Sequence, residues 1–211
     1  MRNLWGLILL TAGLVFHGNA ETFHNPRHIP IPSNPAEVGT ADFNGDGRPD
    51  FYYNDAAGLE VILAKADGSY AAPQTTALGV TNIGCRAADL NGDCFADAVC
   101  FTPVYSATKS TVAVFSGNGD GTLHLTNTVQ IPGSVSPGTS VLLYVAFADI
   151  NSDGHLDIVF QDNSAGMLYT WFGDGTGQFQ RLVAYQLPFQ NEAWRSATVA
   201  DINGDGHPDI V

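Results

Sequence analysis

The sequence has few charged side chains, and most of those it has are acidic. Only 14% of residues are charged, and 8 lysines and arginines stand against 21 aspartates and glutamates, so the net charge is −13. Without a basic cluster, the chain does not fit a nucleic acid or an anionic membrane as its partner. The apolar run near the N-terminus is too short to cross a bilayer, so the sequence predicts no membrane span.

Motifs of the common enzyme classes are also missing. The chain has no G-x-S-x-G, H-E-x-x-H or P-loop pattern. The glycine-rich run 117–121 lies in a predicted hairpin turn with no helix after it, so it does not fit a phosphate site. His124, Ser134 and Ser136 have no recognisable catalytic partners. The sequence therefore predicts no enzyme activity for this chain.

Cysteine is scarce, and its three copies, Cys85, Cys94 and Cys100, lie close together. Three cysteines permit one disulfide and one free thiol in an oxidising compartment. Cys85 and Cys100 flank one acidic loop on what should be paired strands, which favours a bridge between them. A zinc site is disfavoured because no histidine lies nearby in the sequence.

What the chain does have is a nine-residue acidic motif in four copies. The pattern D-x-N-x-D-x-x-x-D occurs at 42–50, 89–97, 149–157 and 201–209, here called loops 1 to 4. Positions 1, 3, 5 and 9 carry side-chain oxygens, whereas position 7 has no common chemistry and is expected to offer its main-chain carbonyl. The predicted metal-ligating residues are Asp42, Asn44, Asp46, Arg48, Asp50, Asp89, Asn91, Asp93, Phe95, Asp97, Asp149, Asn151, Asp153, His155, Asp157, Asp201, Asn203, Asp205, His207 and Asp209.

This donor set favours calcium, a hard ion that takes six to eight oxygen ligands. Carboxylates crowded into one turn repel by up to about 4 kcal/mol per close pair, which a divalent ion would relieve. Gly47, Gly154 and Gly206 supply a left-handed backbone at position 6, but Cys94 stands there in loop 2 and makes that site the least certain. Up to four structural Ca²⁺ ions are expected, which would bring the net charge from −13 to about −5.

Two other interpretations of the loops were weighed. Asp, Asn and Gly are ordinary turn formers, so a single copy could be a turn and nothing more. An EF-hand requires an acidic residue at position 12 and flanking helices. The residues at position 12 here are Tyr53, Cys100 and Phe160, and the flanking sequences are of β type. The recurrence of the same oxygens in four loops favours metal binding.

The N-terminus has the layout of a secretory signal peptide, with Arg2, an apolar run over 4–16 and a small-residue end at Ala20. We therefore expect residues 1–20 to be removed after Ala20 and the chain to be secreted or displayed at the cell surface. A short buried N-terminal helix is the alternative. A proline-rich connector over 21–35 follows, and the folded region is expected over 36–211.

Each loop is flanked by short apolar runs, which predicts a β-hairpin with the loop at its tip. A second hairpin follows each of the first three, with Asp-Gly turns at 67–68, 120–121 and 174–175. The loops recur at intervals of 47, 60 and 52 residues, and residues 102–110 and 132–137 are expected to be surface loops in the longest interval. Four strands per repeat favour an all-β propeller, here three blades and the start of a fourth.

The segments 42–50, 115–123, 171–175 and 201–209 resemble FG-GAP/VCBS repeats, the units of integrin α-subunit propellers and of many secreted bacterial proteins. The resemblance covers about 36–211. It implies a β-propeller with Ca²⁺ in the first hairpin of each blade and surfaces that bind ligands. Propellers of this family usually close with seven blades, so we expect this chain to be a fragment, with further blades beyond Val211, or to need a partner.

Three functions follow as hypotheses. The first is an extracellular binding or adhesion module for a protein or carbohydrate ligand. The alternative is the non-catalytic propeller portion of a larger secreted hydrolase or lyase, and the third is a structural spacer. Four aromatic residues could form a sugar-stacking platform, although packing between blades is the commoner use of such rings; they are Tyr144, Tyr169, Trp171 and Trp194.

Overall fold

The structure is a computed structural model that describes residues 37–78, 84–102, 109–132, 142–162, 166–187 and 198–211, together with residues 29, 31 and 35. The chain divides into two compact units, Met1–Pro32 and Ser33–Val211, and the strands of the described residues lie in the second. Apart from residues 29, 31 and 35, the predicted signal peptide and connector lie outside the described residues. None of the described residues belongs to a helix capable of crossing a lipid bilayer.

The described residues form fourteen strands in three four-stranded sheets and one two-stranded sheet. Consecutive strands pair antiparallel, so each sheet is a simple meander. The first sheet comprises β1 Glu37–Ala41, β2 Asp50–Asn54, β3 Leu59–Ile62 and β4 Gln74–Thr76. The second comprises β5 Gly84–Ala88, β6 Asp97–Thr102, β7 Lys109–Gly117 and β8 Leu123–Pro132. The third comprises β9 Leu142–Ala148, β10 Asp157–Asp162, β11 Met167–Gly173 and β12 Phe179–Gln186, and the last pairs β13 Val199–Ala200 with β14 Asp209–Ile210.

Each acidic loop joins the first two strands of its sheet, as the sequence predicts. The Asp-Gly turns at 120–121 and 174–175 join the third and fourth strands of their sheets, and the turn at 67–68 lies between β3 and β4. Strand boundaries beside the expected surface loops differ from the prediction, since β6 reaches Thr102 and β8 reaches Pro132. Strand β7 begins at Lys109, inside the expected surface loop 102–110, because Lys109 pairs with Pro132 at the far end of β8.

The sheets pack face to face through residues that alternate along each strand. In β6, Ala98 and Cys100 belong to a buried cluster with the first sheet. Val99 and Phe101 belong to a second buried cluster with the third sheet. Because successive side chains of a strand point to opposite faces, one strand supplies both clusters. Full burial of a side chain as large as Val99 or Phe101 contributes about 1.5–3 kcal/mol to the stability of the packed sheets.

The pairing of the cysteines agrees with the prediction. Cys85 and Cys100 lie opposite each other in the register of β5 and β6, with their Cα atoms 4.2 Å apart, and form a disulfide. Both are buried in the cluster between the first two sheets. Cys94 is an exposed free cysteine at the tip of loop 2.

Polar contacts between neighbouring sheets accompany the apolar packing. The Leu123 N–H donates to Thr76 Oγ1 at 3.1 Å, which joins the second sheet to the first. Asn127 donates through Nδ2 to the Phe179 carbonyl at 3.1 Å, which joins the second sheet to the third. These bonds fix the position of each sheet along its neighbour, because a slip would leave the buried Leu123 N–H without an acceptor.

Candidate metal centres

The four loops share one backbone conformation. Positions 4 and 6 are left-handed in every loop, for example at Gly45 (φ 71°) and Gly47 (φ 78°). The sequence predicts a left-handed residue at position 6 only and misses position 4. Cys94 (φ 72°) at position 6 of loop 2 and Ser152 (φ 60°) at position 4 of loop 3 are the non-glycine residues with positive φ in the described chain. Loop 2 therefore keeps the common conformation despite its cysteine.

The two left-handed residues turn main-chain N–H groups onto the carboxylate at position 1. In loop 1, Asp42 accepts hydrogen bonds from the Gly45 N–H at 2.8 Å and the Gly47 N–H at 2.7 Å. Asp89 and Asp201 accept from the same two positions of their loops, and Asp149 accepts from positions 5 and 6 of loop 3, all at 2.7–3.0 Å. This carboxylate thus closes the loop, because it satisfies donors that the tight turn leaves without main-chain partners.

Positions 3 and 5 form a second set of bonds inside the loop. Asn44 Oδ1 accepts from the Asp46 N–H at 3.1 Å, and Asn44 Nδ2 donates to Asp46 Oδ2 at 2.9 Å. Asp46 Oδ1 accepts from the Arg48 N–H at 2.9 Å. The bond from the position 7 N–H to the position 5 carboxylate recurs at 2.8–2.9 Å in loops 2 to 4.

The aspartate at position 9 has a structural role that sequence reasoning misses. Asp50, Asp97 and Asp157 are fully buried. In Asp97, Oδ2 accepts from the Leu90 N–H at position 2 of the loop, and Oδ1 accepts from the Gly117 N–H at the end of β7, both at 2.9 Å. Asp50 and Asp157 make the same pair of bonds at 2.7–3.0 Å. One carboxylate therefore ties the loop to the third strand of the blade.

The carboxylates of one loop influence each other electrostatically. Burial raises the pKa of Asp50, its two N–H donors act to lower it, and the charges of Asp46 and Asp42 raise it further. The pKa values of Asp97 and Asp157 are raised by the same causes within their own loops. Like charges held this close favour the binding of a cation, which would relieve their repulsion.

The side chains at position 7 of loops 2 to 4 contact residues outside their own loops. A Cβ added at Gly119 would lie 2.8 Å from the Phe95 ring, so only glycine fits beneath that ring. His155 lies in the same way over Gly175 of its own blade. His207 Nδ1 lies 2.9 Å from Ser152 Oγ of loop 3. These partners agree with a main-chain role at position 7, which stays a prediction.

The loop oxygens fit a hard cation in kind and in order along the chain. In the described residues, however, no three histidine, cysteine, aspartate or glutamate side chains are grouped so that they could hold an ion. The first and ninth carboxylates are turned onto main-chain N–H groups instead. A carboxylate oxygen has two lone pairs, so an N–H bond leaves it able to accept a metal.

The other candidate residues have packing or turn roles where the structure describes them. Trp171 and Tyr169 are buried between the second and third sheets, so they do not form an exposed sugar platform. His124 Nδ1 lies 2.8 Å from Asn118 Oδ1 in an exposed hairpin. Trp194, Ser134 and Ser136 lie outside the described residues.

The stacked meanders, each with an acidic loop in its first hairpin, are blades of a repeat-built β-propeller. A family model described as the FG-GAP-like repeat matches residues 42–100, 104–160 and 149–211. Because these matches cover most of the sequence, the chain belongs to the FG-GAP-like repeat family, and the resemblance noted from the sequence is confirmed.

The comparison with solved structures includes a fungal lectin. The Agrocybe aegerita protein, described as specifically recognising non-reducing terminal N-acetylglucosamine, is 22% identical to the chain. The match covers 70% of this chain and 37% of the lectin, with a TM-score of 0.49. This similarity is too low to indicate a ligand for the present chain. A search of curated protein sequences finds no significant match.

The left-handed cysteine predicts a simple stability test. Replacing Cys94 by glycine should raise the free energy of unfolding by about 1 kcal/mol, because glycine adopts this backbone without strain. The matched control is Gly154→Ala at position 6 of loop 3, where an added Cβ meets nothing within 4 Å. Gly154→Ala should lower the free energy of unfolding by about 1 kcal/mol, because the left-handed backbone alone is strained by the added Cβ. Urea denaturation measures both, and a destabilised Cys94→Gly protein would refute this account.

The buried carboxylate at position 9 predicts a larger effect. In Asp97→Asn, the amide nitrogen replaces one accepting oxygen, so one of the two main-chain N–H groups loses its acceptor. This should lower the free energy of unfolding by about 1–3 kcal/mol. Asp120→Asn is the control, because Asp120 is exposed and uses one oxygen to accept from both the Thr122 N–H and hydroxyl. Its effect should stay within about 0.5 kcal/mol. Unfolding of both variants is measured in chelator, so that loss of an ion cannot contribute. If Asp97→Asn and Asp120→Asn lowered stability equally, the structural role of the buried Asp97 would be contradicted.

Proposed function

We propose that the chain is a secreted, calcium-binding module that attaches to an extracellular ligand through its propeller surface. The main supporting observation is that one loop geometry recurs in four places. In each loop the carboxylate at position 1 accepts from the position 6 N–H, that at position 5 from the position 7 N–H, and that at position 9 from the position 2 N–H. A turn that served only to reverse the chain would not need three carboxylates. The mutual repulsion of these carboxylates supports the binding of a cation between them.

The proposed ligands are the oxygens at positions 1, 3, 5 and 9 with the carbonyl at position 7. In loop 1 these are the side chains of Asp42, Asn44, Asp46 and Asp50 and the main chain of Arg48. Calcium, when bound, supplies charge neutralisation and a fixed centre for the turn. Since Asp50 also bonds the Ala64 N–H beyond β3, order in the loop extends to the second hairpin. The ions, up to four, would thus have a structural role.

Export from the cell is part of this proposal. The disulfide between Cys85 and Cys100 is buried in the core, and such bonds persist in oxidising compartments. The predicted signal peptide over residues 1–20 supports the same location. The exported chain is expected to begin at Glu21.

The proposed role is binding without catalysis. The buried loop aspartates commit both oxygens to main-chain donors, which does not suit a residue that must exchange protons with a substrate. A net charge of −13 disfavours nucleic acid as a partner. The surface loops would contact a protein or a carbohydrate, as loops on rigid scaffolds often do.

Calcium should stabilise the folded protein. At a calcium concentration about 100 times the dissociation constant, one site adds about 2.7 kcal/mol to the free energy of unfolding, and Mg²⁺ should add much less because it requires a tighter octahedral shell. Calorimetric titration should show one site fewer in Asp46→Ala and no loss in Asp67→Ala, a control in a turn outside the four loops. Identical melting curves in calcium and in chelator would refute calcium binding.

Ligand attachment is tested on cell surfaces. The purified chain should bind in calcium and dissociate in chelator, because loops without ions lose their fixed shape. Treating the surface with protease should abolish binding to a protein ligand, and glycosidase should abolish binding to a carbohydrate ligand. Failure to bind any surface in calcium would contradict the role as a binding module.

A further inference from the structure

Loops 1 and 2 are joined by direct contacts that involve residues next to the proposed ligands. The Ala96 N–H at position 8 of loop 2 donates to the Asp42 carbonyl at position 1 of loop 1, at 2.8 Å. Ala96 is 3% exposed, so this bond is shielded from water. Ala96 stands between Phe95 and Asp97, two proposed ligands of loop 2. Any shift of these ligands therefore moves a donor bonded to the first residue of loop 1.

A second contact reinforces the first. A Cβ added at Gly45 of loop 1 would lie 3.0 Å from the Phe95 ring and 3.3 Å from the Cys94 carbonyl. Positions 6 and 7 of loop 2 therefore cover position 4 of loop 1. The Phe95 ring also contacts Gly119 of its own blade, which holds the ring in place.

The equivalent positions in loops 2 and 4 lack this cover. A Cβ added at Gly92 of loop 2 or Gly204 of loop 4 would meet nothing within 4 Å. Loops 3 and 4 meet through the exposed bond between Ser152 Oγ and His207 Nδ1. An exposed side-chain bond competes with water and transmits less free energy than a buried main-chain bond. Among the described residues, loops 1 and 2 are thus joined more firmly than loops 3 and 4.

We infer that loops 1 and 2 bind calcium as a coupled pair, each raising the affinity of the other, while loop 4 fills independently of loop 1. This inference rests on the proposed calcium binding. An ion in loop 2 fixes Phe95 and Ala96, and these hold Asp42 and Gly45 in the conformation that loop 1 needs. Loop 1 then loses less freedom when its own ion binds, which appears as higher affinity.

The test follows each loop separately by nuclear magnetic resonance of isotope-labelled glycine amides. Gly47 reports loop 1, Gly92 loop 2 and Gly206 loop 4, and calcium is titrated into the full chain. Asp93→Ala, which removes a ligand of loop 2, should weaken calcium binding at loop 1 about five- to tenfold. Thermodynamic linkage requires Asp46→Ala in loop 1 to weaken loop 2 by the same factor. The control Asp205→Ala in loop 4 should leave the Gly47 midpoint unchanged.

Phe95→Ala separates the ring contact from the main-chain bond. In a protein that carries Phe95→Ala, adding Asp93→Ala should weaken calcium binding at loop 1 by less than about threefold. Phe95→His, which introduces the side chain found at this position in loops 3 and 4, should retain more of the coupling. Since Asp46→Ala and Asp93→Ala test the same coupling from opposite sides, unfolding of either variant leaves the other as the test.

The outcomes separate the two proposals. If calcium moves none of the glycine amides, the proposed calcium binding fails and the coupling fails with it. If the amides move but Asp93→Ala and Asp46→Ala leave the neighbouring midpoint unchanged, calcium binding stands and the coupling is overturned. Equal shifts of the calcium midpoints of loops 1 and 2 in the two variants, with an unchanged Gly206 midpoint, would support the coupling.

Discussion

The structure depends on a buried aspartate that accepts two main-chain hydrogen bonds. This residue opens the second strand of each complete blade, and its two oxygens accept from donors in the acidic loop and at or just after the end of the third strand. Charge-assisted bonds of this kind are stronger than neutral ones, and their loss inside a protein leaves unsatisfied donors. Three strands that pair only with their neighbours thereby gain a common fixed point. The loop and the sheet are stabilised together.

Face-to-face packing then converts separate meanders into one unit. The first sheet contributes Tyr52 and Leu59 to one cluster, and the second sheet contributes Phe115 and Leu123 beside the small Ala98 and the Cys85–Cys100 disulfide. On its other face the second sheet presents Phe101 and meets Phe160 and Trp171 of the third. Close-packed apolar side chains fill both interfaces, but the two interfaces use different residues. The blades are therefore similar in topology but different in surface.

Much of the fold could be predicted from the sequence because its strongest signals are local. The ends of strands β1 and β9 could be predicted, since the acidic loop that follows marks where each strand ends. The length of β8 was not predicted, because polar residues such as Thr126, Asn127 and Thr128 interrupt its apolar pattern and it is held by pairing with β7. The left-handed position 4 was missed because Ser152 there does not signal that conformation. The bond from Ala96 to Asp42 uses main-chain atoms, which leave no mark in the sequence.

The Phe95 ring also has a consequence for the history of the gene. Repeats of this kind are expected to spread by duplication and recombination, which is easiest when every copy is interchangeable. The second repeat is not, because its aromatic ring lies against a glycine of the repeat before it and a glycine of its own. A copy moved behind a repeat with a larger residue at that place would clash. The second repeat can therefore follow a repeat that has glycine at that place, as loops 1, 2 and 4 do, but not one that has a side chain there, as loop 3 does with Ser152.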